Sequence, residues 1–215
     1  MSIGTLGNME VIPVPHRQRA KVFRNHHPIV MILSVSVCYT GAIEKGNIPE
    51  NYGAKERLIM KRTHVNKELL LNYTENFCEM DAAALRKYFT TEQNRWGIYD
   101  EKRHAIISVA WTRTGLLNLL TDAKAIVKGT ERCMKKNLQD YCRTEQISTV
   151  ISGAKAKGIR FLYTATGTDI KQKGETLALR CGGKFYVVQF VTRAEGAAEN
   201  RRMYDAVLQS IELPA

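Results

Sequence analysis

Two adjacent glycines, Gly182 and Gly183, interrupt a run in which apolar residues recur at every second position. That pattern constrains the C-terminal third of the chain more than any other feature. A Gly-Gly pair tolerates positive φ at both positions of a two-residue turn. Closing the chain there sets Cys181 opposite Lys184, Leu179 opposite Tyr186 and Leu177 opposite Val188. Side chains alternate faces along a strand, so Leu177, Leu179, Tyr186, Val188 and Phe190 share one face. The other face mixes Thr176, Arg180 and Gln189 with Ala178, Phe185 and Val187, which predicts an antiparallel sheet covered on one side. Ile159, Phe161, Tyr163 and Ala165 alternate in the same way, and 171–174 reads as a polar turn.

Other segments extend this pattern. Strand character over 58–73 is broken by charges, and Asp81 is a good N-cap for a short helix that places Leu85, Tyr88 and Phe89 on one side. Strands at 95–99 and 104–112 flank the turn Asp100-Glu101-Lys102-Arg103. A long helix is predicted over 122–141, capped by Thr121. Ala123, Ile126, Val127, Thr130, Met134, Leu138 and Tyr141 fall at helical spacing, and Glu131 joins the lysines on the outer face. A strand at 147–151 and a closing helix at 197–210 follow, the latter with Asn200, Tyr204, Val207, Leu208 and Ile211 inward. Helices separated by antiparallel strands imply an α+β fold. Residues 1–55 read as an N-terminal extension, packed on a main domain at 56–215 because the apolar run at 28–39 suits a buried strand.

The chain carries a net charge of +11, which favours anionic partners or simply a solvated basic surface. Its five cysteines are widely spaced with no CxxC pair, as expected for free thiols in a reducing compartment. Basic residues before the 28–39 run resemble the start of a signal peptide, but the run is too short to span a bilayer. A cytoplasmic location is the expectation, with export as the alternative.

No complete catalytic motif emerges. The five histidines are His16, His26, His27, His64 and His104, and none stands in HExxH or beside a Gly-x-Ser-x-Gly. Neither a metal site nor a cofactor is expected. Gly4-Thr5-Leu6-Gly7 and Gly182-Gly183-Lys184 lack the strand–loop–helix context of a phosphate cradle. The candidate binding residues are Trp96, whose ring Gly97 leaves partly open, Arg103 in the 100–103 turn, and Lys155, Lys157 and Arg160, a basic set around one turn. Trp111 shares a face with Ile107 and Val109 and reads as core.

The segments Asn94-Arg95-Trp96-Gly97-Ile98-Tyr99-Asp100, Gly158-Ile159-Arg160-Phe161-Leu162-Tyr163, Gly183-Lys184-Phe185-Tyr186-Val187-Val188 and Tyr204-Asp205-Ala206-Val207-Leu208-Gln209-Ser210-Ile211 resemble the Mog1/PsbP-like superfamily, in particular its small bacterial members. The resemblance spans about 61–213 and rests on packing motifs. It implies an α/β/α sandwich around a central antiparallel sheet, and a non-catalytic domain that binds a protein partner or assists assembly, as a chaperone does. An electrostatic binder of nucleic acid or another polyanion is the alternative, and self-association stays open. No binding residue of the superfamily carries over to this sequence.

Overall fold

The computed structural model describes residues 60–114 and 122–214. The expected N-terminal extension, its 29–39 strand and the Thr121 cap lie outside the described residues. The described chain opens with a hairpin, β1 (Met60–Val65) and β2 (Leu69–Thr74), which forms its own two-stranded sheet. A short β3 (Cys78–Glu79) leads into α1 (Ala82–Tyr88), where the Asp81 carboxylate accepts the Ala84 N–H at 2.7 Å, as the sequence predicted. Next come β4 (Arg95–Asp100), β5 (Ala105–Arg113) and α2 (Ala123–Asn137). Four consecutive antiparallel strands complete the main sheet: β6 (Gln139–Ile151), β7 (Ala154–Thr164), β8 (Lys171–Cys181) and β9 (Lys184–Arg193). The last helix is α3 (Ala197–Gln209). The seven strands run in the order β3-β4-β5-β9-β8-β7-β6.

The glycine turn is as predicted. Gly182 and Gly183 have φ of 54° and 70°, and Leu179 pairs with Tyr186 and Leu177 with Val188. Tyr186 is fully buried, and its hydroxyl donates to Glu68 at 3.0 Å, tying the β8–β9 turn to the β1–β2 turn. Leu177, Leu179, Tyr186, Val188 and Phe190 pack with Tyr204, Val207 and Ile211 of α3 and with Val65, Leu69 and Leu71 of the hairpin. On the opposite face, Ala178, Phe185 and Val187 pack under Ile126, Val127 and Met134 of α2 and Leu85 and Tyr88 of α1. The fold is therefore α+β, a sheet between two layers, with the β1–β2 hairpin sharing the α3 layer.

Four local expectations are corrected. The sheet's centre is covered on both faces, because its polar members satisfy one another. Arg95 donates to Ser108 at 3.0 Å and to Gln189 at 3.3 Å, and Gln189 donates to Thr176 at 3.3 Å, a buried row across four strands. Residues 171–174 belong to β8 rather than to a turn, and the reversal lies at 165–170 around Gly167. Helix α2 is capped by Asp122 and ends at Asn137, because Leu138 is extended and Asp140 takes a positive φ of 52°. Tyr141 therefore sits on β6, yet it still reaches the same core by stacking on Phe161 at 5.6 Å. Glu131, expected outside, is buried and paired with Lys135 at 3.1 Å and Arg143 at 3.2 Å.

Candidate binding edge and groove

β6 is the strand the sequence resolved least, since only 147–151 of it read as a strand. It is thirteen residues long, pairs only with β7 among the described residues, and is exposed along most of its length. Its first part is irregular, with register shifts between Gln139 and Cys142 and between Arg143 and Glu145. From Glu145↔Arg160 to Ile151↔Ala154 the register is unbroken. A strand in this position presents unpaired backbone N–H and C=O groups on its outer side.

On the α3 side of this margin lies a groove of about 650 Å³, bounded by Thr144 and Leu162 on the sheet, Phe190 at its base, and Ala197, Ala198 and Arg201 on α3. Its wall is an ion network. The Glu175 carboxylate is buried and accepts from Arg160 Nε at 2.8 Å and from Arg201. Arg160 also meets Glu145 at 2.5 Å, and Arg201 meets Asp205 at 2.7 Å. Burial and the nearby Glu175 carboxylate hold the Tyr204 phenol well above its usual range. Each charge of this network has a fixed partner, so the groove has the character of a braced wall between α3 and β7–β8.

The predicted site residues do not converge. Alternation along β7 puts Lys155 and Lys157 on the α2 side of the sheet and Arg160 on the α3 side, so the expected basic cluster is split. Lys155 and Lys157 are exposed, and Lys157 Nζ donates to Ser148 Oγ on β6 at 2.7 Å. Arg103 is bound to Asp100 at 3.0 Å and to Glu199 at 3.7 Å, and its carbonyl accepts from Asn200, so it fastens the β4–β5 turn to α3. Trp96 is half-buried against Tyr73, with ring centroids 5.9 Å apart. Trp111 is also half-buried and packs against the same core.

Sequence reasoning missed Glu175 and Arg201, which are ordinary surface-type residues until the fold brings them to Arg160. It also missed Arg95, a buried guanidinium stacked 4.1 Å over Phe89. Burial lowers the pKa of Arg95 to about 10, so the charge persists at neutral pH. Among the described residues no group of three or more His, Cys, Asp or Glu is placed to hold a metal ion. Nor is any helix among them long and apolar enough to cross a membrane.

No protein-family model and no curated protein matches the sequence. Solved structures do match the fold. The cyanobacterial PsbP of Synechocystis aligns with a TM-score of 0.54 at 12% identity, over 78% of this chain and 99% of that one. The Ran-binding protein Mog1p of Saccharomyces cerevisiae aligns at 0.50 and 11% identity, over 73% and 96%. A protein from Bacteroides thetaiotaomicron aligns at 0.50 and 8% identity, over 71% of this chain but only 47% of its own length. With its seven-stranded antiparallel sheet held between helical layers, this chain has the Mog1/PsbP-like fold.

Proposed function

We propose that this protein is a non-catalytic binding or assembly domain that docks a protein partner along β6 and the groove beside it. The observation that carries the reading is the edge itself: thirteen residues of strand, exposed on the surface, in a sheet whose centre is closed on both faces. Main-chain hydrogen bonds from such an edge supply affinity for an extended segment, and the flanking side chains supply selectivity. The similar structure of Mog1p, described as Ran-binding, supports a role in protein binding. The split of the basic residues across two faces of β7 disfavours a continuous polyanion track.

A photo-crosslinking residue at position 150, on the exposed edge, tests this against the same residue at position 87 on α1. A discrete adduct with another protein at position 150 alone is expected. Equal labelling at both positions, or none at 150, contradicts the reading.

A further inference from the structure

We propose that the 146–151 stretch of β6 receives an extended strand from a partner protein with acidic side chains at alternate positions, which Lys155 and Lys157 read. This rests on the protein-binding reading above and specifies its partner. The stretch Gln146-Ile147-Ser148-Thr149-Val150-Ile151 contains no charge, proline or glycine, and its register with β7 has no bulge. Those are the devices that natural edge strands use to refuse a partner. Val150 is 62% exposed.

The lysines set the chemistry. Ser148 pairs with Lys157, and Val150 with Lys155, on the side of the sheet that α2 covers further along. The Lys157 ammonium reaches across to the Ser148 hydroxyl, so it leans toward the open edge. Arg180 stands one position beyond the Ala156–Leu179 pair, which places it beside Lys155, with its guanidinium over the Phe185 ring. Neither lysine has a carboxylate partner among the described residues. Strands lie about 5 Å apart, so an added strand's side chain beside Ser148 is about 10 Å from the Lys157 backbone, within the joint reach of Lys and Glu over a small serine. The next such position is two residues along, beside Val150. The intervening side chains fall on the other face, by Ile147 and Thr149, and suit apolar or β-branched residues.

A second copy of this chain fits less well. Self-pairing of β6 about a two-fold axis normal to the sheet gathers both pairs of lysines on one face, and like charges there repel.

The test uses the full chain and a fluorescein-labelled peptide, Val-Glu-Val-Glu-Val-Glu-Val, with its Lys counterpart, an alternately N-methylated Glu peptide, and a single-stranded oligonucleotide of equal charge. Anisotropy should show the Glu peptide binding about tenfold more tightly than the Lys peptide, with the order reversed in the Lys155→Glu/Lys157→Glu variant. N-methylation should abolish binding, since it removes strand hydrogen bonds while keeping the charge. Both lysines are exposed, so a melting curve matching the parent confirms that the variant is folded. Glu and Lys peptides that bind equally and both protect the 146–151 amides would overturn the acidic specificity while leaving the protein-binding reading intact. No protection by either peptide would overturn both. Binding that survives N-methylation, or is matched by the oligonucleotide, would reduce the site to charge alone. A dimer in sedimentation that Val150→Lys converts to monomer would assign the edge to a second copy.

Discussion

Strands β9 and β6 belong to one sheet, separated only by β8 and β7, and they are built to opposite ends. Eight of the ten residues of β9 are buried, because α2 covers one face of the strand and α3 with the β1–β2 hairpin covers the other. β6 has one buried residue in thirteen, Ile151. The sheet spends its packing on the middle and leaves a long hydrogen-bonding margin at one side. From Glu145 onward β6 keeps a regular register while burying little beyond Ile151, and this is why the proposed docking centres on that stretch rather than on the groove's ion network.

A buried charge separates the two strands most sharply. Tyr186→Asp or Val188→Asp places a carboxylate in a closed core and should destabilise the fold by about 4 kcal/mol or more, enough to abolish a cooperative thermal transition. Val150→Asp on β6 should shift stability by no more than about 0.5 kcal/mol. Melts in which the central and edge variants behave alike would remove the contrast.

Glu175 marks where the two regimes meet. Glu175→Ala strips the carboxylate from Arg160 and Arg201, whose side chains are 40% and 29% exposed. Because water still reaches both arginines, the loss should be about 2 kcal/mol, below that for a fully buried pair, measured by urea denaturation. Lys155→Ala with Lys157→Ala should be neutral within about 0.5 kcal/mol in the same measurement. A loss there equal to that of Glu175→Ala would make the lysines structural.

Gly129 lies inside α2 with nothing within 4 Å of where a Cβ would stand. Gly129→Ala should therefore stabilise by about 0.5–1 kcal/mol and raise the melting temperature by about 2–4 °C. The gain should appear as slower amide exchange in β7 and β8 beneath the helix, with the outer amides of 146–151 unchanged.

The smallest effect concerns pH. Burial, with help from Arg193, lowers the pKa of His104 below its ordinary 6.5. The unfolded chain therefore binds the proton more readily, so stability is full above pH 6.5 and declines as pH falls through the window below it. His104→Asn keeps a residue that tolerates the local φ of 49° and should flatten that decline, read from melts across pH. The loosening belongs to the β4–β5 turn and should leave β6 unaffected.

What could be read in the sequence was short in range. The Gly-Gly turn, the Asp81 cap and the inward face of α3 each depend on residues a few positions apart, and each stands in the structure as expected. The α2–β6 boundary was not legible, since Tyr141 falls at helical spacing by coincidence and the break at Asp140 uses a non-glycine positive φ. Coverage of the second sheet face was hidden because Thr176 and Gln189 look solvent-facing until Ser108 and Arg95 are set beside them. Of the candidate site, Lys155 and Lys157 were visible as charges. Their separation from Arg160 follows from strand alternation, which the sequence showed only once β7 was known to begin at Ala154.

Amide hydrogen exchange of the full chain, followed residue by residue, tests the open margin directly. The β9 amides should exchange only through global unfolding, while the outward amides among residues 146–151 should exchange close to the rate of an unprotected peptide. Protection of the whole 146–151 stretch comparable to β9 would mean that the edge is already occupied, and would contradict an open margin.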